Sequence, residues 1–504
     1  MELSRAFLHM SSPAGTCDTD VALSYPERVL QIGEGNFLRA FTGWAIHLLN
    51  QNGAFCGRIV VVAPRPSGAD NIAKINRQDG LYTVWLRGIE GGQNVDHAEI
   101  VTSVSRGIDP YRQWDDFLRC AESRDIDIVI SNTTEAGMTY TEEVYDPAKP
   151  LASFPGKLTA YLYHRYLHFQ GDPDTGLTIL PCELVEHNGE LLKEIVLRHA
   201  SEWGLSQDFR AWVQSANHFC NTLVDRIVTG FPDECDRQLF TERTGYEDAL
   251  LTVGEPFFLW AIEAGESLRE RLPGQRFGIN IRVAQSITPY TLTKVRILNG
   301  AHTAMSAVAL LEGIQTVGEV MADPTVKDFI VGIIQDEVIP VLSHHGVSEA
   351  DSNAFAQSVI ERFENPFIHH EIANLALNGL SKIGARIVPT IVEYEQLTGD
   401  APSLLSISFA AQLLYYRDVA KYQSVVRDNL AHVRLIQDVW SQERQLVLDE
   451  TVRRLLAMDS IWGLDLCSVT GLTAKVTEAI SQIRAEGVKN SIRQHRNSEF
   501  GLVD

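Results

Sequence analysis

The sequence predicts an α/β N-terminal part followed by a mainly α-helical C-terminal part, and three observations carry that expectation. Short β-branched runs alternate with helical patterns from RVLQIG (28–33) through RIVVVAP (58–64) and DIDIVISNT (125–133) to GLTILPCE (176–183). Such alternation marks parallel strands joined by crossover helices. From about Arg296 onward the texture changes to 3.6-residue periodicity, as in TAMSAVALLEGI (303–314), VKDFIVGIIQDEVIPVL (326–342) and LSISFAAQLLYYRDVAKY (405–422). Finally, 504 residues that are 45% hydrophobic and 21% charged have the length and composition of a globular chain with more than one core. The expected limits are an N-terminal extension over 1–25, a first domain over 26–293 and a helical domain over 294–504.

Charge removes several classes of function. With 43 basic and 65 acidic residues the formal charge is −22, which repels nucleic acid and anionic lipid surfaces but leaves small anionic metabolites open. The seven cysteines form no CxxC pair, a usage that predicts free thiols and a reducing compartment. The N-terminus lacks a signal-peptide core and no run approaches the ~20 apolar residues of a membrane span, so a cytoplasmic location is expected.

The first strand leads into VLQIGEGNFLRAF (29–41), where Gly33 and Gly35 precede Asn36 and Phe37 at the start of a helix. Glycines there let the backbone approach a pyrophosphate, and the helix start offers free N–H groups. The pattern is GxG only, since Leu38 stands where GxGxxG has its third glycine; a tight strand-to-helix turn would read the same way. The second strand ends at Arg65 instead of the acid that would hold a ribose 2′-hydroxyl. An arginine can meet a 2′-phosphate, stack on adenine or face solvent, so this stretch leaves NAD and NADP both open. SNTTEAGM (131–138) follows the strand DIDIVI, and Thr133 and Glu135 there can meet a cofactor or cap the next turn.

At the change of texture stands TKVRILNGAH (293–302). On an α-helix advancing ~100° per residue, Asn299 and His302 lie about 140° and 80° from Lys294, on one side. A lysine can move a proton, an asparagine can donate to an oxygen gaining charge, and a histidine can orient a hydroxyl. Taken singly, each also reads as a snorkelling lysine, a helix cap and a core histidine. Asp225 in TLVDRIVTG pairs an acid with a base inside an apolar segment, which an ordinary ion pair explains equally well. His344, His345, His369 and His370 invite a metal reading, but adjacent histidines point apart and no HxH or HExxH accompanies them, so no metal is expected.

Together QIGEGNFLRAF, SNTTEAGM, PCELVEHNGE, TLVDRIVTGFP, KVRILNGAHTA and RFENPFI resemble the mannitol dehydrogenase family of zinc-independent, polyol-specific long-chain dehydrogenases. The wording is most similar to its tagaturonate reductase (altronate oxidoreductase) branch. The resemblance implies a Rossmann-like NAD-binding domain, a helical C-terminal domain and an active site between them. It implies Lys294 as general acid/base, with Asn299 and His302 polarising and positioning the reacting oxygen. The cofactor would be NAD, bound by Gly33, Gly35, Asn36, Phe37, Arg65, Thr133 and Glu135, and the partner a small sugar acid.

Fructuronate reductase and mannitol 2-dehydrogenase are the implied alternatives, and a nucleotide-binding sensor without catalysis is the alternative of another class. Asp225 matches the family's VDR aspartate as a substrate contact or holder of a cationic group. Departures occur at Leu184, where polyol enzymes carry an oxyanion asparagine, beside Glu183, and at His370 and Asn374, where they carry an acid and an arginine, followed by Lys382; Glu183, His370 and Lys382 join Asp225 as the expected substrate contacts. His370 in place of an acid fits a substrate that bears a carboxylate. Oligomeric state is not readable from the sequence.

Overall fold

The computed structural model describes residues 1–11, 17–422, 427–443 and 447–500. Six strands, β1 (Glu27–Ile32), β2 (Arg58–Val62), β3 (Val104–Ile108), β4 (Ile128–Ser131), β5 (Thr178–Pro181) and β6 (His218–Phe219), form one sheet. All pairings are parallel and the order is β3-β2-β1-β4-β5-β6, the doubly wound arrangement in which direction reverses between β1 and β4. The β-branched runs suit it because both faces are covered: Val29, Ile59, Val61, Ile128 and Ile130 enter one core, while Leu30, Ile32, Val60, Val62 and Val129 enter another. Ile32 lies beside Val62 and Ser131, so the loops leaving β1 and β4 emerge side by side at the carboxyl edge.

The chain divides into two compact units, Met1–Arg87 with Asn94–Ile287, and Gly88–Gln93 with the residues from Thr288 onward. Beyond the parallel sheet, the first unit has the strand Thr222–Asp225 antiparallel to Leu259–Glu263, which in turn runs parallel to Ile281–Ala284. The expected fold class, α/β and Rossmann-like first, mainly helical after, is the one observed.

In the second unit the helix Ser403–Arg417 is buried along almost its whole length and lies against Gly300–Leu311. Small residues Ala301, Ala304 and Ala307 are buried in Gly300–Leu311. Its polar groups are satisfied across the contact: Ser408 Oγ donates to the Ala304 carbonyl (2.9 Å), and Gln412 Nε2 donates to the Thr303 carbonyl (2.9 Å) and Ser306 Oγ (3.0 Å). The segment carrying His302 is therefore braced from behind.

Glu337 supplies the N-terminal cap that Pro402 cannot offer that helix. Its two oxygens accept from the Leu404 and Leu405 N–H groups at 2.6 and 2.7 Å. Burial pushes its pKa up to about 8, and the two N–H donors only partly offset that. Between the ordinary glutamate range and pH 8 the folded chain thus holds a proton that the unfolded chain has released. Stability therefore falls as pH rises across that window. Melting temperatures measured from pH 5 to 8 should decline less steeply in Glu337→Gln than in the parent; identical slopes would remove Glu337 as the cause.

Candidate functional site

In the first unit the β1 loop is shaped by contacts that leave no choice of residue at Gly33. Its φ is +136°, and an added Cβ would sit 2.8 Å from the Asn132 carbonyl oxygen and 2.8 Å from Leu38 Cδ1. Gly35, at φ −72°, has nothing within 4 Å of an added Cβ, so the space above it is open. Asn36–Leu38 then starts a helix whose N-cap, Gly35, contributes no side chain. That helix passes through a π turn, Arg39–Gly43, into Trp44–Gln51.

Buried Arg39 fixes the loop, donating through Nη1 to the Glu34 carbonyl (2.6 Å), through Nε to Thr252 Oγ1 (3.1 Å) and through Nη2 to Asn36 Oδ1. Phe37 stacks on Phe41 with ring centres 4.9 Å apart, and Gly230 comes so close to Asn36 that a Cβ there would lie 2.7 Å from Asn36 Nδ2.

The loop after β4 is latched to β5 by Glu183. Glu183 Oε2 accepts from Ser131 Oγ (3.0 Å), and Oε1 accepts from Thr133 N–H (2.9 Å) and Thr133 Oγ1 (3.2 Å). Burial raises the Glu183 pKa, opposed by those donors. Thr133, Glu135, Glu183 and the exposed Leu184 border one cavity of about 440 Å³, while Arg65, Thr133 and Thr134 border another of about 140 Å³. Arg65 is exposed and Glu135 is exposed in a single turn capped by Thr134. Asp225 is buried at the end of its strand, paired in register with Leu259. Its neighbour Arg226 lies over the Trp44 ring at 4.1 Å and donates to the Ala40 (2.7 Å) and Glu255 (2.8 Å) carbonyls.

In the second unit the segment from Lys294 to His302 departs from the expected α-helix. Thr288–Thr293 and Gly300–Leu311 are α-helical, but Lys294–Asn299 between them is a π turn, with the Gly300 N–H reaching back to the Val295 carbonyl. In a π turn residues i and i+5 are bridged, so Lys294 and Asn299 stack about one turn apart instead of standing about 140° apart. His302 follows Asn299 at i+3, on the same face. Lys294 and Asn299 are half-buried and His302 is buried, while Arg296 is turned into the unit to donate to Thr390 Oγ1 (2.7 Å) and pair with Glu393 (3.1 Å).

His302 lies against Phe363 (ring centres 4.5 Å apart) and His370 (4.9 Å), and its Nε2 has no hydrogen-bond partner. Burial, reinforced by His370, Arg362, Arg386 and Lys382, holds its pKa well below the ordinary value, so the ring is neutral. His370 is likewise kept neutral by burial. Lys382 Nζ donates to the Leu375 carbonyl at 2.9 Å. The second unit thus gathers Lys294, Asn299, His302, His370 and Lys382, whereas Gly33, Gly35, Asn36, Phe37, Arg65, Thr133, Glu135, Glu183 and Asp225 belong to the first.

A family model described as the mannitol dehydrogenase Rossmann domain matches residues 27–274, and one described as the mannitol dehydrogenase C-terminal domain matches residues 286–484. The chain belongs to the mannitol dehydrogenase family. Relatives named altronate oxidoreductase are similar over nearly their whole length: 44% identical in Halalkalibacterium halodurans (93% of this chain, 93% of that one) and 42% in Bacillus subtilis (94% and 95%). Among solved structures, a D-sorbitol dehydrogenase in substrate-free form superposes with a TM-score of 0.80 at 22% identity, covering 98% of this chain and 100% of that one. The Pseudomonas fluorescens mannitol 2-dehydrogenase ternary complex with NAD and D-mannitol does so with 0.68 at 21%, covering 99% and 100%. These two likenesses establish the mannitol dehydrogenase fold for both units.

Three residues that the structure sets beside the expected ones were not singled out in the sequence: Arg39 at the β1 loop, and Arg362 and Phe363 near His302. Arg39 stood inside the quoted loop motif, and Arg362 and Phe363 opened RFENPFI, so a signal was present for all of them. Among the described residues no group of three or more His, Cys, Asp or Glu side chains is arranged to hold a metal ion, and His345 pairs with Glu393 (3.1 Å). No helix among them is long and apolar enough to cross a membrane.

Proposed function

We propose that this chain is an NAD-dependent oxidoreductase interconverting D-tagaturonate and D-altronate. The observation that carries the reading is the near-full-length similarity, at 44% and 42% identity, to relatives named altronate oxidoreductase. A dinucleotide suits the residues present, because Gly33 admits no Cβ, Gly35 leaves room above an uncapped helix start, and Arg65 and Thr133 border the neighbouring cavity. NAD is named in the solved Pseudomonas fluorescens complex, and we take it as the cofactor here. Bound nicotinamide would supply or accept the hydride.

The protein's own groups handle the proton and the charge. In the reductive direction the Lys294 ammonium delivers a proton to the oxygen that becomes alkoxide; in the oxidative direction the amine removes it. Asn299, stacked on Lys294 by the π turn, donates its amide N–H to the same oxygen. Neutral His302 has Nε2 available to hold a neighbouring hydroxyl. We assign His370 and Lys382 to substrate contacts, retain Asp225 as one on the strength of the resemblance, and assign Glu183 to holding the loop after β4. A reducing cytoplasm suits the unpaired thiols of Cys56, Cys120, Cys182, Cys220, Cys235 and Cys467.

The test monitors reduced-nicotinamide absorbance with tagaturonate, fructuronate and fructose, using NADH and NADPH in parallel. Tagaturonate with NADH is expected to react fastest. Faster turnover of fructuronate or fructose would reassign the substrate, and no oxidation with any of them would leave a nucleotide-binding protein without catalysis.

A further inference from the structure

We infer that Arg386 is the counter-ion for the carboxylate of the sugar-acid substrate, with Lys382 one helical turn before it as its helper. This rests on the hexuronate reading of the same site. Lys382 and Arg386 stand at i and i+4 on the helix Gly379–Arg386 and so share one face. Arg386 Nη1 donates to Thr303 Oγ1 (3.3 Å), and Thr303 Oγ1 donates in turn to the Asn299 carbonyl (2.9 Å). Thr303 directly follows His302, so the guanidinium is tied to the segment bearing the proposed catalytic groups.

Several other cations of this acidic chain have their donors matched. Arg296 meets Glu393, Arg417 meets Asp418 and Arg484 meets Glu443, while buried Arg39 and Arg165 are held by several neutral acceptors each. Among the described residues neither Lys382 nor Arg386 is in an ion pair, although both are half-buried. The acid that bears on Lys382 is Asp428, whose oxygens accept from Leu380 N–H (3.0 Å), Tyr416 Oη (2.8 Å) and Asn429 N–H (2.8 Å). Half-buried cations with one neutral acceptor each and no acid paired with them suit an anion, because desolvation without charge pairing is costly.

His370 cannot be that charge, since burial keeps it neutral. Lys382 already spends one N–H on the Leu375 carbonyl. The planar fork of Arg386, with five N–H donors of which one reaches Thr303, matches a carboxylate in bidentate fashion. Buried His302 Nε2, without a hydrogen-bond partner, points to a polar ligand at the same place.

The test compares tagaturonate with tagatose, which carries a hydroxymethyl group where tagaturonate carries its carboxylate. In Arg386→Met, kcat/KM for tagaturonate should fall by about 100-fold or more, mainly through KM, while that for tagatose changes less than about threefold. Arg386→Lys should fall in between. As a second readout, adding D-altronate on top of saturating NAD should raise the melting temperature further in the parent but not in Arg386→Met, whose melting temperature without ligand stays near the parental one. Equal losses on both ketoses, or retained protection by altronate in Arg386→Met, would overturn the assignment. A parent enzyme that prefers tagatose would instead overturn the hexuronate reading itself, and this inference with it.

Discussion

Lys294→Met should lower kcat for tagaturonate reduction by about 10²- to 10⁴-fold, the span that a positioned proton donor contributes. The methionine keeps the length of the side chain at a half-buried position and removes only the ammonium, so the helix and its π turn have no reason to change. NADH binding, measured by fluorescence, should be unaltered, since the loop around Gly33 lies in the other compact unit. The pH dependence that belongs to the lysine should disappear with it. Lys294→Arg should be nearly as poor, because a guanidinium holds its proton: it is a weak donor to the forming alkoxide in reduction and has no free base to take a proton in oxidation. A loss of less than tenfold in either variant would remove Lys294 from the chemistry.

Two glycine variants should part company even though the residues are two positions apart. Gly33→Ala must place a methyl 2.8 Å from the Asn132 carbonyl oxygen at φ +136°, a clash with backbone that cannot rotate away. Strain of this kind costs on the order of 1–3 kcal/mol, enough to lower the melting temperature and to weaken NADH binding by about tenfold or more. Gly35→Ala meets nothing within 4 Å and has an ordinary φ of −72°, so the fold should be untouched. Its methyl nevertheless enters the open space over the helix start. The dissociation constant for NADH should therefore rise in both variants while the melting temperature drops only in Gly33→Ala. If Gly35→Ala binds NADH as the parent does, the phosphates lie elsewhere.

The strands β1, β2, β4 and β5 were legible because each is an apolar, mostly β-branched run with glycine, proline or a polar loop at its end, as a buried parallel sheet asks, whereas VSRGI of β3 and the two residues of β6 carry no such run. The proposed catalytic triplet was legible as composition but not as geometry. A fixed advance of 100° per residue cannot reveal a π turn, whose extra residue leaves no mark in hydrophobic periodicity. Glu183 shows a different limit: its place in PCEL suggested a substrate contact, and only the fold reveals that both its oxygens are engaged by Ser131 and Thr133. Arg386 was invisible for a similar reason, since its importance arises from Thr303, 83 positions away in the chain.

The π turn at Lys294–Asn299 also lets KVRILN carry one residue more than plain α geometry would need while its two ends still share a face. A helix containing one such turn is an α-helix carrying a single inserted residue, held in place by the packing on either side. Deleting Val295 would let the helix close into uniform α geometry, with Gly300–Leu311 keeping its seat against Ser403–Arg417. Everything before the deletion would keep its side of the helix, because the π turn had absorbed the extra residue. Lys294 and Asn299 would then stand at i and i+4, still neighbours on one face. An aligned relative with one residue fewer between these positions would share the fold and present the same two side chains together in plain α geometry.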